Sequence, residues 1–293
     1  MPGKIAKRDN DPAAMRIATA LALIPPQAEI VLELDLESLR GQSAWTTVLA
    51  ALAKDAKPTL DAFAVGAGLD LTRQLRRVLV ALPAERQDDD RFLLIADVDG
   101  LDEGRATTWL KARLGEKAVV FVRGQSQIVI SRGAWSGNLA RLRSATKLTP
   151  SAADHPELLR LCTRAAVDHS LWFAAIVPAA VRRGLMQEPR FADAAAIARV
   201  WGFVNLNSGA QVEVVAELSH TADAALLTHR LGVYLNQAKR DPEALVLGLA
   251  PYLEALRVTA HDARVHASLD LSGAQLGEAI ERIEALAHAA RTK

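Results

Sequence analysis

The chain has 293 residues, half of them hydrophobic, enough to bury a large core and to form two units rather than one. Its 35 Lys and Arg are matched by 34 Asp and Glu, a net charge of +1, so no basic field exists to gather nucleic acid or an anionic membrane. The single cysteine, Cys162, excludes an internal disulfide, a thiolate zinc site and a CxxC redox pair.

At the amino terminus, Lys4, Lys7, Arg8 and Arg16 precede the apolar run "IATALALI", Ile17 to Ile24, which is too short to span a bilayer. Asp9 and Asp11 interrupt the basic region, and Pro25-Pro26 stands where a small-residue cleavage site would. The expectation is therefore an amphipathic lead-in helix over Pro12 to Leu23, capped by Asp11 and stopped by the two prolines. Next, "AEIVLELDL" alternates Ile30, Leu32, Leu34 and Leu36 with Val31, Glu33 and Asp35, a strand with one covered and one wet face. A helical stretch follows. It ends near "VGAGLDL", which lacks the third glycine of a dinucleotide fingerprint and reads as a helix end and a turn.

Short β-branched and aliphatic runs predict strands over Val78 to Leu82 and Phe92 to Val98, joined by the polar "AERQDDD". Such a short connection demands an antiparallel hairpin, because a parallel crossover needs a dozen or more residues. A helix follows, carrying Trp109, Leu110 and Leu114 at three- and four-residue spacing. Then "KAVVFVRGQSQIVISRGAWSGNLARL" gives a second hairpin and a helix, with Ser136 as its cap. The Pro-, Ser- and Asp-bearing "KLTPSAADHPE" suits a linker.

Beyond the linker the layout recurs. A strand and helix lie in "DHSLWFAAIVPAAVRRGLMQEPRFADAAAIA". Val200 to Leu206 and Val212 to Leu218 form a hairpin across "NSG", and a helix carries Leu226, Leu227, Leu231 and Leu235. "EALRVTAHDARVHASLDLSGAQLGEAI" closes with another hairpin and helix. An extra segment, "LVLGLAPYLEAL", has no counterpart in the first half. The expected fold is α+β: two tandem repeats, each a mainly antiparallel sheet of about five strands with helices on one face, in the order β-α-β-β-α-β-β-α. Residues 1–24 form the lead-in helix, 25–148 the first repeat and 149–293 the second. The remaining sheet face is left open: solvated, packed on the other repeat, or joined with it into one wider sheet.

The stretch "ALIPPQAEIVLELDLESLRGQSAW", Ala22 to Trp45, together with the duplicated layout, resembles a loose group of uncharacterised bacterial cell-envelope proteins. Those have a lipoprotein signal, a helix ending in a Leu-Pro pair, and a strand with a "VDL..LR.S.LW" pattern. This chain departs from them in lacking a lipobox cysteine. The resemblance implies an envelope setting and supplies no catalytic residues.

For chemistry, "IADVDGLDEG" gathers Asp97, Asp99, Asp102 and Glu103 around a glycine, a candidate cation cluster. Counted from Asp97 or from Asp99, a calcium loop fails, because Leu101 falls on a ligand position. The counterpart "AELSHTADAA" keeps oxygen-bearing residues, Glu217, Ser219, Thr221 and Asp223, so helix capping is the expected role of both stretches, with Asp99 or Asp102 as the first cap. His261 and His266, five apart, are expected on opposite faces of a strand and lack the i,i+4 zinc spacing. Cys162, in an apolar helical pattern, reads as a buried side chain. Most tryptophans are core fillers. Core filling is the leading expectation for Trp135 too, but its place at a turn makes it the candidate contact residue among them. No cofactor is indicated. The leading expectation is a non-catalytic binding or structural protein with a protein partner or an apolar ligand. A carrier with an apolar cavity between sheet and helices, or an enzyme assembled from distant residues, stands as the alternative.

Overall fold

The computed structural model describes residues 12–84, 91–143, 145–167, 169–188 and 192–291. Helix α1 (Pro12–Leu21) leads to strand β1 (Ile30–Asp35), a short helix α2 (Leu36–Leu39), the long helix α3 (Ser43–Gly66) and the single turn α4 (Leu71–Gln74). Strands β2 (Leu75–Leu82) and β3 (Phe92–Val98) come next, then α5 (Glu103–Leu114), β4 (Ala118–Arg123), β5 (Gln127–Arg132) and α6 (Ser136–Leu142). The second half runs α7 (Pro156–Ala166), β6 (Leu171–Ile176), α8 (Ala179–Gln187), β7 (Ile197–Asn205), β8 (Gly209–Leu218) and α9 (Thr221–Ala238). It continues through α10 (Pro242–Val246), α11 (Ala250–Ala255), β9 (Arg257–His261), β10 (Arg264–Ser272) and α12 (Gly273–Arg291). The Asp11 cap and most of the "AERQDDD" turn lie outside the described residues.

The fold is α+β, with ten strands in one antiparallel sheet ordered β4-β5-β3-β2-β1-β6-β7-β8-β10-β9. That order answers what the sequence left open. β1 pairs antiparallel with β6, Leu32 opposite Phe173, so the halves join at the centre of one wide sheet. Read outward from the join, each half places its first, second, third, fifth and fourth strand in turn. Register shifts also fall at matching places, between Leu75 and Arg77 in β2 and between Ile197 and Arg199 in β7.

Central strands of so wide a sheet must be covered on both faces or leave apolar surface in water. One face carries Val31, Leu79, Leu93, Ile95, Trp172 and Ala174, buried under α1, α6 and the Leu158, Leu161, Cys162 and Ala165 stripe of α7. On the opposite face α5 covers Ala96, Val98, Ile128 and Ile130 with Ala106 and Leu110. There α9 sets Ala224 and Leu227 against Leu218 and Val265. Near the strand ends, α3 and α12 bring Trp45 and Leu276 onto Leu206 and Ala210. The repeat helices α5 and α9 thus share one face as expected, and α1, α6 and α7 add cover to the other.

This layering inverts the reading of β1. Val31 and Glu33, placed on the wet face by alternation, are wholly buried, whereas Leu32 is 37 % exposed. The period was right and the face was not, because α1 and α7 dock on the side that carries the charge.

The extra segment folds into α10 and α11. Tyr252 of α11 donates to Gln275 O at 3.3 Å, and its ring lies 5.9 Å from the Arg282 guanidinium of α12. Its tip leaves Val246 86 % exposed.

Candidate functional site

Two polar rows cross the same sheet face at matching positions. In the first half, cross-strand partners are Arg77 on β2, Asp97 on β3, Gln127 on β5 and Arg123 on β4. In the second they are Arg199 on β7, Glu217 on β8, Arg264 on β10 and His261 on β9. Residues directly opposite one another in an antiparallel sheet share a face, so each row is fixed by register alone. Both start one residue past the matching register shift, and each is built on an arginine facing an acid.

In the first row, Gln127 Nε2 donates to Asp97 Oδ1 at 2.8 Å, and Arg77 Nη1 lies 3.8 Å from Asp97 Oδ2. Arg123 donates through Nη1 to Gln127 Oε1 at 3.2 Å and through Nη2 to Thr146 O at 2.8 Å. Next to this row, on central strand β1, lies Glu33. Its side chain is 1 % exposed, and the nearest cations, Arg16 Nη2 at 3.6 Å and Arg77 Nε at 3.9 Å, stand beyond hydrogen-bond reach. The Trp172 indole N–H is directed at the same carboxylate without reaching hydrogen-bond geometry. Among the described residues, both Glu33 oxygens and Arg77 Nε are therefore buried without a hydrogen bond, held only by these longer ion pairs.

Burial drives the Glu33 carboxyl above the usual carboxylate range, against the opposing pull of Arg16, Arg77 and Trp172. Glu33, Arg16 and Arg77 line a cavity of about 250 Å³ between α1 and the sheet, together with Thr19, Asp97, Arg123 and Gln127, on a floor of Leu79 and Ile95. Leaving a buried carboxylate and a guanidinium N–H unmade is costly, on the order of 1–3 kcal/mol for each group. Buried polar atoms of this kind are met by water or by a ligand.

The second row is closed. Arg160 and Arg164 of α7 reach down onto Glu217, which Arg160 grips through both terminal nitrogens at 3.4 and 2.9 Å. Arg164 Nη1 and Arg264 Nε each donate to Oε1 at 3.1 Å, and Arg199 Nη1 stands 3.8 Å from Oε2. Burial alone would raise the Glu217 carboxyl; the Arg160 hydrogen bonds and the surrounding cations overcome it and hold it below the usual range. Arg199 is also paired with Glu157 at the start of α7.

The four acids of "IADVDGLDEG" are pulled to separate tasks. Asp97 enters the first row. Asp99, on the surface, lies 3.4 Å from Arg76 Nη1. Asp102 caps α5, its Oδ1 accepting from Arg105 N at 3.0 Å, and Glu103 sits in the first turn of that helix. Capping does not recur in the second half. There His220 holds the cap position of α9 and makes no side-chain cap hydrogen bond, so the shared role expected of the two stretches is corrected to one copy.

Trp135, the candidate contact residue, is 2 % exposed and fills the core. The turn after β5 points it inward, into the cluster with Phe121 and Leu142, and it offers no contact surface. Ser136 is the first residue of α6 rather than its cap. His261 and His266 lie on neighbouring strands of one hairpin and on the same face, not on opposite faces of one strand; His266 Nδ1 is 3.3 Å from Glu213 Oε1. Cys162 is buried, and its thiol is pushed far above its ordinary range by burial and by Glu33.

Glu33, Arg77 and the arginines around Glu217 were missed from sequence. A glutamate inside an apolar alternation was a usable signal for Glu33. Arg160 and Arg164 carry none, because α7 is far from β8 in the chain.

No protein-family model matches the chain, and no curated protein matches it. A solved structure described as "Structure of crystal form I of TP0453" is similar over 89 % of this chain and 96 % of its own, with 9 % identity and a TM-score of 0.42.

Proposed function

We propose that the protein is a non-catalytic binding protein whose ligand site is the cavity beneath α1. The observation that carries this reading is the Glu33 carboxylate and the Arg77 Nε, both buried, held only at ion-pair distance of 3.9 Å from each other, and both without a hydrogen bond among the described residues while lining the same space. A ligand suited to it is small and polar. It brings a hydrogen-bond donor, such as a protonated amine, to Glu33 and an acceptor to Arg77. Resemblance to envelope proteins supports a bacterial cell-envelope setting.

Two other readings have less support. The apolar groove between α3 and α4, lined by Leu36, Trp45, Leu49, Leu60 and Leu71, holds about 180 Å³. It is smaller than the cavity of about 250 Å³ at Glu33, and since both lie below the roughly 300 Å³ of typical ligand sites, the groove weighs against a large apolar cargo and the Glu33 cavity is limited to a small ligand. A hydrolytic enzyme would need a nucleophile beside a base, and the hydroxyl lining the Glu33 cavity, that of Thr19, donates to Met15 O at 2.9 Å within α1, the other polar groups being arginines, an aspartate and a glutamine.

The test is native mass spectrometry of protein purified without denaturation. The wild type is expected to carry a small polar molecule, released on unfolding, that Glu33→Leu no longer retains. An empty wild type, together with increased stability of Glu33→Leu, would make the cavity a hydrated packing defect and sink the reading.

A further inference from the structure

The second polar row carries a charge surplus that its own acids do not remove. Arg160, Arg164, Arg199 and Arg264 converge from α7, β7 and β10 on Glu217, and among the described residues Glu157 is the one further acid paired with them. Four guanidiniums thus face two carboxylates. Glu217 is nearly enclosed, with a side chain 8 % exposed, whereas those of the four arginines are 30 to 41 % exposed. The carboxylate sits below and the cations open to solvent above it.

Hydrogen-bond use is uneven in the same sense. Arg160 commits both terminal nitrogens to Glu217, but Arg164 commits only Nη1 and Arg264 only Nε. Among the described residues, the other N–H groups of Arg164 and Arg264 have no acceptor. Burial and then the Arg264 and Arg160 cations pull the Arg164 guanidinium below its ordinary range, as like charges held together do. The remaining groups on this face are His261, paired with Asp262, and His266, which faces Glu213.

We infer that this cluster is an anion-binding site for a phosphate group, held by the free forks of Arg164 and Arg264, with Glu217 as the buried post that sets the arginines in place. Guanidinium forks match phosphate geometry in pairs, and an arginine cluster on a rigid sheet loses little freedom on binding. The site is independent of the Glu33 cavity.

Calorimetric titration with inorganic phosphate and co-sedimentation with phosphatidylcholine vesicles, with and without phosphatidic acid, separate a soluble phosphate from a lipid headgroup. Saturable phosphate binding is expected, weakened about tenfold or more in Arg164→Gln/Arg264→Gln. The doubly substituted Lys variant, which keeps the charge and loses the forks, is expected to fall between and provides a second measurement if the Gln variant unfolds. Sedimentation only with phosphatidic acid, competed by free phosphate, assigns a lipid source; phosphate binding without sedimentation assigns a soluble one. Absence of both, or binding unchanged in both double variants, overturns the inference.

Discussion

The two polar rows begin from the same plan and finish in opposite states. In the first half, Arg77 faces Asp97 and the neighbouring Glu33 lacks a hydrogen bond beside a cavity; in the second, Arg199 faces Glu217 and α7 covers it with two more arginines. Backbone register sets the rows, and the helix laid across each sets their chemistry. α1 brings one arginine, Arg16, to its row, whereas α7 brings Arg160 and Arg164. A buried acid therefore means something different on each side of the join.

The largest test of that contrast is truncation of the two acids. Glu217→Ala strands several arginines and is expected to lower stability by about 3 kcal/mol or more. Asp97→Ala removes one strong hydrogen bond and is expected to cost about 1 kcal/mol. Urea unfolding of both variants checks the ranking, and equal losses would break the comparison.

A second test uses pH, where the rows should act with opposite sign. The Glu33 carboxyl is raised in the folded state, so the native protein binds the extra proton, and its contribution to stability falls as pH rises from about 4.5 through the folded value. Glu217 is lowered, so its contribution is full above about 4.5 and is lost as pH falls through its folded value. Stability differences between wild type and Glu33→Gln, and between wild type and Glu217→Gln, measured from about pH 2.5 to 8, should therefore run in opposite directions, the first changing above about 4.5 and the second below it. Parallel trends would show that burial, not pairing, governs both.

The smallest effects concern the two strand-to-helix junctions. Asp102→Ala is expected to cost about 1 kcal/mol, the usual loss of a cap, while His220→Ala should stay within about 0.5 kcal/mol because it caps nothing. Thermal melts of the two variants decide this. A loss of similar size at His220 would restore a shared junction role.

Much of the fold was legible because hairpins write themselves locally. Short polar turns force antiparallel pairing, and the strand, hairpin and helix order can be read twice along the chain. The union of the halves was not legible, since pairing of Leu32 with Phe173 joins residues far apart in sequence and leaves no periodic trace. Alternation in β1 gave the period but not the covered face, which depends on where α1 and α7 dock. At the candidate sites, Asp102 was legible as a cap. Glu33 and Glu217 were visible only as residue types, because what distinguishes them is the set of arginines that distant elements deliver.

One consequence of the central β1–β6 pairing concerns dissection of the chain. The join already sets the first strand of each half side by side in antiparallel pairing, with Ile30 opposite Ala175 and Leu34 opposite Leu171. Severed there, each half would present an open edge shaped to accept a strand of its own kind. Half-chains produced separately are therefore expected to recover the ten-stranded sheet as homodimers or, when mixed, as the reassembled pair.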